Sequence, residues 1–376
     1  MHIPDGYLSP ATCATLYVAA APFWYTAFRK VKRLLNTRLV PLLSVFAAFS
    51  FVIMMFNLPL PGGTTGHAVG MTIATIVLGP WAAILAVSVA LLIQALFFGD
   101  GGITAFGANC VNMAIVGSLV SYLVYRLAAG HAAISSPRRV VAAGLAGYVA
   151  INVAALLTAV EFGIQPALFH DASGAPLYAP YPLNVAIPAM MLGHLTLAGL
   201  AELVVSAGVV AYLQRADPAL LKLTAPDAAE EGMGEVSRRG GWSVARPLLI
   251  VLAVLMILSP LGLVAAGTAW GEWAPDDFAN AETRQEIQAG SGNAAAPDAA
   301  PPGMAQLSTI WSALLPDYDP FQSENPNLQR VGYVLSALVG GGLILLAFLL
   351  ISWVAQRFGG RDPHLASRTP DPGSRT

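Results

Sequence analysis

The stretch Ala68–Phe98, AVGMTIATIVLGPWAAILAVSVALLIQALFF, decides the fold. It is apolar throughout, with Gly79-Pro80 near its middle. Proline removes a backbone donor and clashes with the preceding turn, so it marks either a break or a kink. The placement of positive charge chooses between them, because Lys and Arg gather on the inner side of a membrane. With two passages in this stretch, 17 of the 19 fall on one side in four clusters. These are Arg29, Lys30, Lys32, Arg33 and Arg38; Arg126, Arg138 and Arg139; Arg215, Lys222, Arg238, Arg239 and Arg246; and Arg357, Arg361, Arg368 and Arg375. Only Arg284 and Arg330 lie opposite. A single passage would invert everything downstream and scatter the charges.

Outward from that stretch, further apolar runs lie at roughly 9–28, 39–58, 107–126, 139–162, 184–213, 245–267 and 331–355. Each reads as a membrane helix. The alternating ten-residue pattern of an outer-membrane barrel is missing, and an open sheet cannot span. Composition agrees: of 376 residues, 56% are hydrophobic and 11% charged, with mean hydropathy +0.64. A soluble domain carries about 25% charged residues, so an ordinary cytosolic enzyme is excluded. A net charge of −2 argues against a nucleic-acid partner. Cys13 and Cys110 belong to no CxxC pair and read as small core residues.

The expected fold is an all-α polytopic membrane protein with the N-terminus outside, nine crossings and the C-terminus inside. Residues 1–213 form a seven-helix unit, 214–244 a cytoplasmic linker, 245–355 a two-helix unit and 356–376 a cytoplasmic tail. Residues 268–330 are an outer loop with nine acids against two arginines, and 289–303 reads as disordered. Such a loop either concentrates cations or is simply solvated. Trp270, Trp273 and Trp311 fit an interfacial belt. The start, MHIPDGYLSP, lacks the basic segment of a secretory signal. The first pass, 68–79, would span only about 18 Å of a hydrocarbon core of about 30 Å. The stretch before it, Pro59–Gly66, is therefore expected to dip below the outer surface, making 59–67 a candidate site loop.

His2 is the most informative position. A free amine at Met1, the amide nitrogen of His2 and its Nδ1 can reach one ion through a five-membered and a six-membered chelate ring. Methionine is expected to remain, because His2 disfavours its removal. Three in-plane nitrogens suit a square-planar ion, which points to Ni(II) or Cu(II) rather than Zn(II), Mg(II) or Ca(II). One more imidazole would complete the plane. His67, after PGGTTG and on the outer side with the N-terminus, is the candidate; a capping or core histidine is the alternative. His170 and His194 are weaker alternatives, while His131 and His364 lie on the inner side. Asp100 in GDGG, with Asn109 and Asn112, shares the outer side. These three either hold the N-terminal segment and the histidine ring or only join helices. Glu202, mid-helix and near His194, fits packing or the transport path better than direct ligation. Asp5 either offsets residual charge or shapes the PDG turn.

Three segments resemble the CbiM/NikM family: MHIPDGYLSP, the block from Gly66 reading GHAVGMTIATIVLGPWAAILAVSVALLIQALFFGDGGITAFGANCVNMAIVG, and GHLTLAGLAELVVSAGVVAYLQ from Gly193. That family comprises the substrate-binding membrane subunits of energy-coupling-factor transporters for nickel and cobalt. The resemblance covers about 1–215. It implies that the Met1 amine, the His2 amide and imidazole, and the His67 imidazole bind the metal. It further implies a separate transmembrane coupling subunit, a cytoplasmic ATP-binding-cassette pair and a bacterial or archaeal cytoplasmic membrane. SPLGLVAAGTAWGEW (259–273) and LLPDYDPF (314–321) resemble the two-helix accessory unit fused in nickel-type systems, although the literal PDGLE tag is absent.

The chain has no ATPase of its own, since none of its lysines, Lys30, Lys32 and Lys222, follows a glycine. HExxH is also missing. The expectation is a membrane metal-capture subunit for Ni²⁺ or Co²⁺, with no bound cofactor. Two rivals stand beside it: a membrane enzyme using His194 and Glu202, and a self-sufficient channel or carrier.

Overall fold

The computed structural model describes residues 1–35, 40–225, 228, 241–265 and 267–358. Residues 226–227 and 229–240 of the 214–244 linker and 359–376 of the tail lie outside the described residues, and with them Arg238, Arg239, Arg361, Arg368, Arg375 and His364, as does Arg38.

Each apolar run is helical. The first unit contains α1 (Pro10–Leu35), α2 (Val40–Met54), α3 (Met71–Leu78), α4 (Pro80–Phe98), α5 (Phe106–Ala129), α6 (Pro137–Leu168) and α7 (Leu183–Ala216). After it come α8 (Gly241–Leu258), two short helices α9 (Ala281–Gly290) and α10 (Pro302–Leu307), and α11 (Pro326–Phe358). Among the described residues, α4 to α7 and the Pro326–Val354 part of α11 are long and apolar enough to cross a membrane. Val40–Met54 and Leu248–Val264 are shorter apolar helices.

Gly79-Pro80 is a break. Gly79 closes α3 at φ 79°, a left-handed conformation that costs glycine no Cβ clash. Pro80 then starts α4 at the first helical position, where a missing N–H is no loss. With eight residues, α3 rises about 12 Å. It is buried along its whole length, against α4, α5 and α6.

Two regions differ from the sequence reading. The stretch before His67 is an antiparallel hairpin, β1 (Leu58–Leu60) with β2 (Thr64–Gly66), paired Leu58 to Gly66. Thr65 also bridges Ala269 in parallel, so the outer loop adds a further extended segment to the hairpin. Three residues per strand are too short to show a period in sequence. The other difference is the loop 268–330, which folds down onto the first unit. Asn280 caps α9 by accepting from the Glu282 and Thr283 amides. Around the stretch read as disordered, Ser291 accepts from Trp270 Nε1, and Met304 is buried with its amide on Leu177 O. Trp270 and Trp273 are buried in a cluster with Tyr181, Phe162 and Phe278, so they are not an interfacial belt. Trp311 is exposed, with Nε1 on Leu96 O. Aromatic burial supplies the order that the composition of this loop conceals.

The later helices join the first unit through α2, against which both α8 and α11 pack. The approach of α11 is close: a Cβ on Gly340 would come within 2.1 Å of Phe51 Cζ. Small residues at such crossings let helices meet where no hydrophobic force separates protein from lipid.

Candidate metal centre

The N-terminal segment is threaded into the protein. Met1, His2, Ile3, Tyr7, Leu8 and Ser9 are all buried. Asn109 on α5 pairs with Ile3 as a strand would: its Oδ1 accepts from Ile3 N at 2.8 Å and its Nδ2 donates to Ile3 O at 3.1 Å. Ile3 O also accepts from Gly102 N at 2.8 Å. Asp5 accepts from the Ile103 and Thr104 amides and from the Thr104 hydroxyl, locking the PDG turn to the loop between α4 and α5. The two backbones touch, since a Cβ on Gly102 would lie 2.3 Å from Asp5 N. That contact explains the last glycine of GDGG, Gly102. Farther on, Tyr7 Oη donates to Trp273 O, and Ser9 N donates to Gln165 Oε1. Buried backbone groups without partners cost a few kcal/mol, and here each of these contacts removes one.

This path brings the Met1 amine and the His2 ring to the end of the hairpin, where His67 is buried. The His2 and His67 ring centroids are 5.0 Å apart, with planes inclined at 33°. His67 Nδ1 lies 3.0 Å from Ala68 O. A carbonyl only accepts, so Nδ1 carries the proton and the Nε2 lone pair is free. Burial holds the His67 imidazole well below its ordinary pKa, and the nearby amino terminus pushes the same way. Neutral imidazole is the ligand form.

Two carboxylates face the nitrogens. The Met1 amine lies 3.0 Å from Glu272 Oε1. His2 Nδ1 lies 2.9 Å from Asp100 Oδ1, but off the hydrogen-bond axis, so neither His2 ring nitrogen is satisfied. Burial raises the Asp100 carboxyl, yet the adjacent His2 and His67 rings and the Tyr318 hydrogen bond outweigh it and hold the group below the usual range. Tyr318 Oη donates to Asp100 Oδ2 at 2.5 Å, and Gln94 Nε2 donates to both at 3.0 Å. One ligating atom each from His2, Asp100 and Glu272 lies within 4.8 Å of the others. A cavity of about 650 Å³ opens onto His67, Asp100, Glu272, Asp317 and Tyr318.

Of the residues singled out in sequence, Met1, His2, His67, Asp100 and Asn109 meet in one place. Asn112 instead donates to Thr158 and Glu161 on α6. The segment Cys110–Gly117 is wound as a π-helix, so the i, i+3 neighbour rule of a regular helix does not carry Asn112 onto the face of Asn109. His194 Nδ1 is on Met190 O, and His170 is exposed in its loop. Glu202 Oε2 accepts from the Val69 and Gly70 amides at 2.8 and 3.0 Å, serving as the carboxylate cap of α3 that holds the His67 turn. Glu272 and Tyr318 carry no distinguishing mark in sequence except that each lies among aromatic and acidic residues, in WGEW and PDYDP.

The family described as "Cobalt uptake substrate-specific transmembrane region" matches residues 2–220, and the PDGLE domain matches 246–357. The domain match holds without the literal tag. A fused nickel transport protein, NikMN, of Rhodobacter capsulatus is 58% identical over 92% of this chain and 95% of its own length. The probable fused nickel transport protein LarMN of Lactiplantibacillus plantarum is 43% identical over 93% and 96%. A solved transition metal transporter aligns at TM-score 0.55 with 51% identity, over 60% of this chain and 99% of that one.

Proposed function

The chain belongs to the CbiM family of cobalt-uptake substrate-specific transmembrane regions, carrying a C-terminal PDGLE domain, and from this premise we propose that it captures Ni²⁺ or Co²⁺ at the outer face of a cytoplasmic membrane. The ligands are the Met1 amine, the His2 amide nitrogen and Nδ1, and His67 Nε2. The observation that carries this reading is the burial of Met1, His2 and His67 together, with the two rings 5.0 Å apart and Nε2 of His67 free. Its topology is nine crossings from an outer N-terminus.

The chemistry follows from the donors. To ligate, the amine gives up its ammonium proton and the His2 amide gives up its hydrogen, while Asp100 yields Nδ1 to the metal. Counted from a neutral His2 ring, one dication enters and two protons leave, so the buried charge is unchanged. Nickel is favoured because a planar set of nitrogens with a deprotonated amide suits a d⁸ ion. Copper would bind more tightly still on affinity alone, so supply or geometry selects nickel. Tight capture does not release the ion. Release requires a separate coupling subunit and an ATP-binding-cassette pair, whose docking destabilises the loaded form.

The enzyme reading loses its pair, because Glu202 is committed to the Val69 and Gly70 amides and His194 to Met190 O. Transport by membranes that contain this chain alone would favour a self-sufficient carrier. The capture reading is tested by lengthening the chain by one residue before Met1 and measuring nickel in the purified protein. We expect the extended chain to lose its metal; equal loading of both forms would end the proposal.

A further inference from the structure

The accessory domain reaches the Met1 amine itself through Glu272, whose Oε1 lies 3.0 Å from it. The amine is wholly buried, whereas the Glu272 side chain keeps 19% of its exposure toward the cavity. The stretch that carries Glu272 is fixed on both sides. Before it, Thr268 O accepts from Thr64 Oγ1 and Ala269 bridges Thr65, on the hairpin that leads directly to His67. After it, Trp273 O accepts from Tyr7 Oη of the N-terminal segment. Between them, Gly271 at φ 82° lies so close to Phe162 that a Cβ would stand 2.5 Å from Cε2. A carboxylate on so constrained a loop is placed, not merely nearby.

Resting on the capture reading above, we infer that Glu272 is a positioning residue of the metal site: it accepts an N–H of the Met1 amine and sets the rotation of that amine about its N–Cα bond. An α-amine can point its lone pair in any staggered direction. Only one direction closes the five-membered ring with the His2 amide nitrogen. An amine bound to a metal retains two N–H bonds, made stronger donors by the ion, so the same carboxylate serves the loaded form. Outer partners of this kind orient ligands, and their loss typically weakens metal affinity about 10–100-fold. Capture by the N-terminal unit, Met1 included, therefore depends on a residue of the 246–357 domain.

The test uses the full-length chain in detergent, with Ni²⁺ affinity read by competition with a chelator and the planar geometry read from the visible absorption of the nickel site. Glu272→Ala is expected to weaken binding about 10-fold or more and to shift the absorption band. Glu272→Gln, whose carbonyl still accepts an N–H, is expected to recover most of that loss. Glu282→Ala, an acid of the same loop on exposed α9, should change neither. Thermal unfolding of the metal-free variants reports whether each folds. If folded Glu272→Ala binds nickel as the parent does with the same band, or if Glu272→Gln is as weak as Glu272→Ala, the inference is overturned. His67→Ala in the same series separates the two claims: nickel retained there counts against the ligand set, while nickel lost there and kept in Glu272→Ala counts against Glu272 alone.

Discussion

Residues 1–9 and residues 268–330 both end at the Met1 amine, but they are held there differently. The first segment is pinned along its backbone: Ile3 pairs with the Asn109 side chain and the Gly102 amide, Tyr7 O with the Ala179 amide, and Ser9 N with the Gln165 side chain. The second is held mainly by aromatic burial, with Trp270, Trp273 and Phe278 in the core and few side chains reaching inward. The difference assigns the labour. A segment that supplies ligands must be fixed to within a fraction of an ångström, and hydrogen bonds provide that directionality. A covering loop need only present one or two orienting groups, and apolar packing suffices.

If this division holds, damage to the first segment costs more than damage to the second. The largest expected effect is that of pH. While the amine is an ammonium and the His2 ring is neutral, two protons leave per metal, so nickel affinity should fall about 100-fold for each unit of acidification. A slope of one proton, measured by competition across buffers, would show that the amide stays protonated. His67 stays neutral below its ordinary range and should add nothing near neutrality.

Next is Asn109→Ala. It strands the buried Ile3 amide, worth about 1–3 kcal/mol, while Ile3 O keeps Gly102 N, and should weaken nickel binding about 10-fold. In the second region, Tyr318→Phe removes one donor from Asp100, which keeps Gln94 Nε2. Its effect should be a few-fold at most, read in the same competition assay. A larger loss in Tyr318→Phe than in Asn109→Ala would reverse the division of labour. The smallest effect on metal is expected from Glu202→Gln. This change should leave nickel bound while lowering the unfolding temperature, because the side-chain cap on two buried amides is weakened by about 1–3 kcal/mol.

The two regions also differ in how far the sequence reveals them. His2 announces itself because its chemistry is set by a covalent neighbour, the terminal amine. His67 and Asn109 could be placed on the outer side from charge topology and apolar runs. Gly79-Pro80 marked the boundary of α3 because proline acts locally. Glu272 could not be found this way, since its partner lies 271 residues away and eight other acids share the loop. Nor could the fate of Asn112, whose direction depends on the π-wound stretch that turns it toward Glu161. Loop order at 289–303 was hidden as well, because Met304 and Ile287 are single apolar residues in a polar run that only the folded surface can bury.

The most direct measurement of the central claim is X-ray absorption at the nickel edge on the loaded full-length protein. The account predicts a single shell of four nitrogen neighbours with the edge features of a square plane, one imidazole from His2 and one from His67. A six-coordinate, oxygen-rich shell, as carboxylates Asp100 and Glu272 would supply if they held the ion themselves, would contradict it.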